Sequence, residues 1–366
     1  MRRISLHFIN ECYGLKSAVL STHKLVDATN HCASNIANSL SAVLNECNLF
    51  NKVVTIVTDN DASMKEKCEL MKMKHLPCVS HTFNLLVQDL LKIDSIVPLL
   101  AKCKRIVSLF KSSSIATKKL KNAQTSKSRY GLIQEVPTRW NSAYYMIQRI
   151  ILVNDSLSAL LLNSTKDPRP LSADEMFVLV EICQVLAQFH EATVQISTNK
   201  TLSISVIIPL IYELHQKSCK VYSQVISHPA LDICEAVKKR LPERFSHYET
   251  RTVTRIATLL DPRFKKDGFL FTSNSEKAAK ALQLELFSSL SRVLSTPDIS
   301  TPPNTPQEKR NSFFTFLETK ISNKVHSNIR MLLRTYFEGP NEPEDKDPLA
   351  YWMANSESLK PITKLF

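Results

Sequence analysis

Glycine is scarce in this chain, which has only four glycines among 366 residues. A phosphate-binding loop of the P-loop or dinucleotide type needs several glycines close together, because its backbone turns sharply and approaches the phosphate. Here the glycines lie far apart, at positions 14, 131, 268 and 339. The sequence therefore excludes kinases, GTPases and nicotinamide-dependent enzymes that use such loops.

A regular cysteine framework and long apolar runs are also missing. The nine cysteines are scattered, and no apolar leader stands at the amino terminus, so we expect free thiols in a reducing compartment. No apolar run approaches the length of a membrane span. We expect a soluble intracellular protein with no membrane contact, built as two domains or as one domain with a large insertion.

Acidic residues are absent between positions 95 and 134. This stretch, called the basic segment below, contains nine basic residues: Lys102, Lys104, Arg105, Lys111, Lys118, Lys119, Lys121, Lys127 and Arg129. It supplies most of the excess in a chain of net charge +13. Such a cluster is typical of a polyanion-binding face, since each neutralised phosphate releases a condensed counterion. The alternative is a solvated helix face followed by a disordered Lys/Ser/Thr loop.

Apolar periodicity predicts an α/β pattern at the start of the chain. Alternation at residues 4–9, a turn at Tyr13 and Gly14 and a second strand at 16–20 predict a β-hairpin. A helix is predicted over residues 36–47, and a buried strand at 53–57 leads to Asp59. Ligand-binding residues collect at the carboxyl ends of strands in α/β sheets. Asp59 is therefore placed where chemistry can occur.

Beyond position 144 the apolar pattern is helical throughout. The stretches at 176–193, 204–218, 231–241 and 278–294 predict an all-helical domain. Residues 295–311, rich in proline, serine and threonine, are predicted to be a flexible linker.

Three short signatures occur in order along the chain. They are Val-Thr-Asp-Asn at 57–60 with Cys-Val-Ser-His at 78–81, Thr-Arg-Trp-Asn-Ser at 138–142, and Leu-Asp-Pro-Arg-Phe-Lys at 260–265. In this order and at these separations they resemble the RNase H-like catalytic region of hAT-superfamily DNA transposases. The resemblance is greatest to their domesticated relatives, the zinc finger BED domain-containing proteins.

This resemblance implies a truncated α/β RNase H-like core with a large all-α insertion domain, in a predominantly helical chain. We expect the partial core at 1–143, the insertion at 144–294, the linker at 295–311, and at 312–366 a helix, an acidic loop and the start of the family's dimerisation region. A homo-oligomer is possible on this basis, but the dimerisation region is expected to be truncated. No pair of cysteines is followed by a pair of histidines at the spacing of a BED finger.

The resemblance further implies that active members bind Mg²⁺ through three acids, of which only Asp59 matches in this chain. The other two are expected on a strand before Ile4 and in a helix beyond Phe366. Two-metal phosphodiester transfer needs several converging carboxylates, so one aspartate is not enough. We expect Asp59 to be a relic of the metal site, the chain to be no enzyme, and no cofactor to be bound. Alternatively, Asp59 is a turn residue without a role.

His81 belongs to a group of thiols and imidazoles that superficially suggests zinc. The group comprises Cys68, His75, Cys78 and His81, but its spacing is not that of a standard finger. The family resemblance instead places Cys78 and His81 beside the metal pocket, where His81 is a candidate nucleic-acid contact. The alternative is a hydrogen-bonded histidine at the start of a helix.

Two interpretations of Trp140 stay open. In a helix beginning near Thr138, Trp140, Tyr144 and Ile147 share one face and form an ordinary core stripe. Alternatively, Arg139 pairs with phosphate while the indole of Trp140 stacks on an extruded base. The Asp-Pro-Arg-Phe segment at 261–264 is predicted to be a structural turn.

These observations predict a catalytically inactive, transposase-derived protein that binds DNA in the nucleus without sequence preference. The candidate contacts are Lys118, Lys119, Lys121, His81, Arg139 and Trp140. Two other functions stay open: a fragment of an active transposase whose remaining acids lie outside this chain, and a protein-interaction scaffold.

Overall fold

The computed structural model describes residues 2–23, 33–60, 62–125, 128–163, 168–197, 203–294 and 315–363. These residues are predominantly helical and divide into two units. Unit 1 comprises Met1–His23, Lys200–Pro209 and Tyr248–Phe366, and unit 2 comprises Lys24–Asn199 and Leu210–His247.

Unit 1 begins with the hairpin that the alternating pattern predicts. Strands β1 (Arg2–Ile9) and β2 (Leu15–His23) pair antiparallel. In the connecting turn Tyr13 has φ 55°, and the Gly14 amide donates to Asn10 Oδ1 at 2.7 Å. A β-carbon at position 14 would come within 3.0 Å of that oxygen, so the turn favours glycine there.

The rest of unit 1 is helical around one apolar core. Its described helices are the start of α9 (Ser203–Tyr222), the end of α10 (His228–Thr250), α11 (Thr252–Leu260), α12 (Thr272–Leu294), α13 (Thr315–Glu338), α14 (Pro348–Ala354) and α15 (Lys360–Thr363). Two buried polar rings tie the core together: Trp352 Nε1 donates to the Leu260 carbonyl at 2.8 Å and Tyr336 donates to the Leu259 carbonyl at 3.1 Å.

Unit 2 holds a short β-α-β arrangement. After α1 (Ala33–Glu46), strand β3 (Ile56–Thr58) pairs parallel with β4 (His75–Pro77), and α2 (Ala62–Leu70) connects them. The predicted strand therefore exists, but it begins three residues later and ends one residue later than expected, immediately before Asp59.

Among the described residues the two sheets are separate, each of two strands. An RNase H-like core needs its strands in one shared sheet, whereas the hairpin pairs with no further strand in the described ranges. The predominantly helical character is confirmed, whereas the α/β RNase H-like core stays a prediction.

Helix α3 (Val79–Leu90) is central in unit 2. The remaining helices of the unit are α4 (Val97–Lys111), α5 (Ser114–Ala123), α6 (Trp140–Leu152), α7 (Asn154–Leu162), α8 (Ala173–Ile196) and the larger parts of α9 and α10. Phe83, Leu86 and Leu90 of α3 are fully buried. The rings of Phe83 and Phe245 lie 4.6 Å apart, and Arg244 pairs with Asp89, so α3 is fastened to α10.

Helix α8 is an exception to the expectation that no segment is long and apolar enough to span a membrane. By length and composition alone α8 passes that test, and so do α6 and α7 if the two helices, bent by 74°, are taken as one span. Half of the apolar stretch of α8 is buried inside the protein, where the helix contacts α3 and α6. These contacts are those of a core helix.

The two units do not coincide with the predicted domain boundaries at 143 and 294, and those boundaries stay predictions. Unit 1 combines the amino-terminal hairpin with the carboxyl-terminal helices. The predicted linker at 295–311 lies outside the described residues.

Candidate nucleic-acid interface

Asp59 lies in an exposed turn that is fastened to the start of α3. The Thr58 hydroxyl donates to the Asp59 carbonyl at 2.9 Å and lies 2.9 Å from His75 Nε2. One residue later, Asn60 Nδ2 donates to the Thr82 hydroxyl at 2.8 Å. The order of strand, aspartate and helix predicted from the sequence is therefore present, with the carboxylate open to solvent.

His81 lies on the first turn of α3 and shares a helix face with Asn84 and Gln88, three and seven residues further on. The side-chain amides of Asn84 and Gln88 form hydrogen bonds with the segment that precedes α6. Asn84 Oδ1 accepts a hydrogen bond from the Trp140 amide at 3.1 Å, and Gln88 Nε2 donates to the Pro137 carbonyl at 3.0 Å. This face of α3 thus brings the His81 and Arg139 signatures together.

Sequence reasoning missed Asn84 and Gln88. Their spacing from His81 was a usable signal, because residues three and seven positions further along a helix lie on the same face.

Arg139 is exposed and stands immediately before α6. Its turn is held by Ser142, whose hydroxyl accepts from the Val136 amide at 2.7 Å and donates to the Arg139 carbonyl at 2.6 Å. The guanidinium is therefore presented from an ordered turn at a helix amino terminus, a position that favours anions.

Trp140 is in the core. It is 3% exposed, and its ring lies 6.4 Å from that of Tyr144, which is also buried. Of the two interpretations of Trp140, this arrangement matches the core stripe. Stacking on a base would require the indole to leave the core.

The described residues near Asp59, which do not include Asp61, do not fit a two-metal Mg²⁺ site. Within the described ranges no three His, Cys, Asp or Glu side chains lie close enough to hold a metal ion. Of the four residues that suggested zinc, Cys68 is buried, with a thiol pKa raised mainly by burial, and His75 faces the Thr58 hydroxyl. We derive no metal-dependent step from this arrangement.

Two of the nine cations of the basic segment are neutralised by acids from outside it. Lys102 pairs with Glu175 at 2.6 Å and Lys104 with Glu135 at 2.7 Å. Burial opposes ionisation of Glu175, but hydrogen bonds from Lys102 and from the Ser172 backbone hold its pKa below the usual value. The absence of acids within the segment therefore does not leave all nine of its charges uncompensated.

The other described cations of the segment are exposed: Arg105, Lys111, Lys118, Lys119, Lys121 and Arg129. Among the described residues none of the six has an acidic side chain within ion-pair distance, although Arg129 donates to Asn122 Oδ1 at 3.1 Å. Lys127 lies outside the described residues. On α5 the buried Leu120 anchors the helix, so its three lysines project away from the core.

A groove of about 610 Å³ runs along α4 beside this surface. Arg105, Ser108 and Ser112 line it from one face of α4, and Arg169 lines it from the segment before α8. Two guanidinium groups and two hydroxyls around an open groove are suited to phosphate oxygens.

Comparison with known families identifies relatives of this chain. The model of the ZBED1 RNase-like helical domain matches residues 76–185. This range runs from β4 into α8 and contains all the predicted site residues except Asp59.

Several curated proteins are similar over longer stretches. Zinc finger BED domain-containing protein 4 from Homo sapiens is 26% identical over 320 residues, which cover 84% of this chain and 27% of that protein. The AC transposase from Zea mays is 22% identical, covering 72% and 34%. Zinc finger BED domain-containing protein RICESLEEPER 2 from Oryza sativa subsp. japonica is 23% identical, covering 64% and 34%. The chain thus spans about a quarter to a third of the length of these relatives.

Proposed function

We propose, from the relationship of this chain to the hAT-family BED-type proteins, that it binds DNA through the phosphate backbone without preference for sequence. The relatives support a transposase-related origin. The basic segment would form the contact surface, with Arg139 at its border.

The observation that carries the proposal is a set of exposed cations on α4 and α5 that have no acidic partner in the described part of the chain: Arg105, Lys111, Lys118, Lys119 and Lys121. A lysine already paired with a carboxylate gains little from a phosphate, since it must first give up its partner. An unpaired exposed lysine keeps its full charge for the polyanion and releases a counterion when it binds. The groove beside Arg105 would add the guanidinium group of Arg169 to this surface.

We also propose that the chain binds DNA without cutting or joining it. Asp59 is exposed, and among the described residues no three His, Cys, Asp or Glu side chains form a group that could hold a metal ion. The nucleus is the proposed location, because BED-type relatives are generally nuclear. Self-association through a carboxyl-terminal region stays a prediction.

The test is the salt dependence of duplex binding. The variant Lys118→Gln/Lys119→Gln/Lys121→Gln removes three charges from α5. We expect the slope of log K against log salt to become shallower by about two to three units, since each lost phosphate contact removes ~0.9. Binding should weaken equally for duplexes of unrelated sequence.

A matched control removes three exposed lysines elsewhere in unit 2: Lys220→Gln/Lys238→Gln/Lys239→Gln. It changes the net charge equally but leaves α5 intact, so its slope should stay near that of the unmodified chain. Equal slopes for all three proteins would show that the α5 lysines are only a solvated surface.

A further inference from the structure

Tyr130 is an exposed aromatic residue inside the basic segment. It is 36% exposed, in contrast to Trp140 at 3%. It lies in the loop that follows α5, between Arg129 and Gly131. This surface therefore presents an aromatic ring to solvent, although not the ring that the sequence motif indicated.

The loop is ordered at Tyr130 by a double hydrogen bond. The Tyr130 amide donates to Gln124 Oε1 at 2.8 Å, and Gln124 Nε2 donates to the Tyr130 carbonyl at 2.8 Å. Gln124 Nε2 also lies 3.1 Å from the Leu120 carbonyl at the end of α5. Both contacts to Tyr130 use its backbone, so a change of side chain leaves them in place.

Arg149 of α6 covers part of the ring. Its guanidinium carbon lies 4.6 Å from the ring centroid, while its Nη1 donates to the Gly131 carbonyl at 2.8 Å. The cation thus packs on the ring and helps to fix its orientation. The exposed part of the ring stays open to solvent.

Two other cations belong to the surroundings of this loop. A β-carbon built at Gly131 would be 3.6 Å from Lys121 Cε, so the lysine stem passes beside the loop. Arg129, the residue before Tyr130, is oriented by its hydrogen bond to Asn122. An ordered, exposed ring flanked by cations is the combination that binds single-stranded nucleic acid, in which the ring stacks on a base and the cations contact phosphates.

We infer that Tyr130 stacks on an unpaired base of a nucleic-acid strand, with Lys121 and Arg129 on the neighbouring phosphates. This inference rests on the proposed DNA binding and adds a preference that charge alone does not provide. A duplex keeps its bases stacked on each other and offers no face to Tyr130. The bases of an unpaired strand have free faces on which Tyr130 can stack.

The experiment compares a labelled thymidine oligonucleotide with a duplex of equal length, using the full chain. Tyr130→Ala should weaken binding to the oligonucleotide about 5- to 150-fold, the equivalent of ~1–3 kcal/mol. Tyr130→Phe should bind like the unmodified chain, because the aromatic face is kept. Neither variant should change duplex affinity or the salt slope, since stacking releases no counterions. Tyr222→Ala, a matched loss of an exposed tyrosine in unit 2, should leave both affinities unchanged.

The outcomes separate this inference from the proposed function. Duplex binding with the expected salt slope, together with unchanged oligonucleotide binding in Tyr130→Ala, would refute stacking and leave the proposed function intact. Loss of duplex and oligonucleotide binding to the same extent would show that the ring supports the loop and would also refute stacking. Absence of binding to either probe in the unmodified chain would refute both proposals.

Discussion

The lysines of α5 and the Leu-Asp-Pro-Arg-Phe-Lys signature at 260–265 are both short charged segments, but they use their charges differently. Lys118, Lys119 and Lys121 are exposed and have no acidic partner among the described residues. Asp261 is fully buried, and its carboxylate accepts from the Ser205 hydroxyl at 2.7 Å and from Arg263 Nε at 2.9 Å and Nη2 at 2.7 Å.

Lys265 in the same signature is also used inside the protein. Its ammonium donates to the Gly339 and Pro340 carbonyls at 3.0 and 2.9 Å and lies 4.9 Å from the centre of the Tyr336 ring. Burial lowers its pKa, against the opposing influence of Glu342 and Asp267. The residue joins the end of α11 to the segment after α13.

The difference shows that a charged motif does not by itself indicate a ligand. A buried charge must be satisfied by groups of the protein, because desolvation without partners costs several kcal/mol. Exposed charges have no such requirement and keep their capacity for an external polyanion. Burial and internal partners therefore separate the structural motif at 260–265 from the candidate interface on α5.

The largest effect is expected when the buried carboxylate of Asp261 is removed. Asp261→Ala removes the carboxylate that accepts hydrogen bonds from the Arg263 guanidinium and the Ser205 hydroxyl. We expect the free energy of unfolding of unit 1 to fall by ~3–5 kcal/mol, measured by chemical denaturation. As a control, Asp267→Ala removes an exposed carboxylate bonded to Asn341, and should cost no more than ~0.5 kcal/mol. Equal, small losses in both variants would contradict a structural role for Asp261.

Trp140 tests the same distinction inside the candidate interface. Because the indole is buried, Trp140→Ala should leave a cavity and lower the free energy of unfolding by ~3–5 kcal/mol. Trp140→Phe should restore part of this loss, and it should bind the thymidine oligonucleotide like the unmodified chain. A Trp140→Ala protein of undiminished stability that binds the oligonucleotide poorly would instead indicate a stacking role.

The smallest effect is expected at Asp59. Its carboxylate is exposed, and the described residues offer no partner ligands for a metal ion. Asp59→Ala should therefore change stability by no more than ~0.5 kcal/mol. The unmodified chain should show no nicking or strand transfer with Mg²⁺ or Mn²⁺. Metal-dependent nicking that disappears in Asp59→Ala would overturn the proposal that the chain is not an enzyme.

Local features were predictable because they depend on neighbouring residues. The alternation at residues 4–9 and the turn at Tyr13 and Gly14 correspond to the hairpin, and the helical spacing at 36–47 to α1. The relationship to the BED-type proteins could also be recognised from the three short sequence signatures. Asp59 was correctly placed after a strand, since strand and turn are adjacent in sequence.

Other features depend on residues that are distant in sequence. Lys102 is neutralised by Glu175, 73 residues away, which no local count of charges reveals. Helical spacing placed Trp140 on an apolar face, but whether that face is covered depends on helices that follow much later in the chain. Likewise, the pairing of the hairpin with no further strand among the described residues is a property of the sheet and not of the alternating pattern.

By itself the sequence determined the helical character, the hairpin, the family relationship and the concentration of cations in residues 95–134. Only the tertiary structure decided which of these cations remain unpaired, and that Tyr130 rather than Trp140 presents its ring to solvent. The physical reason is that periodicity and turn chemistry act between neighbours. Burial and ion pairing instead depend on which distant segments meet when the chain folds.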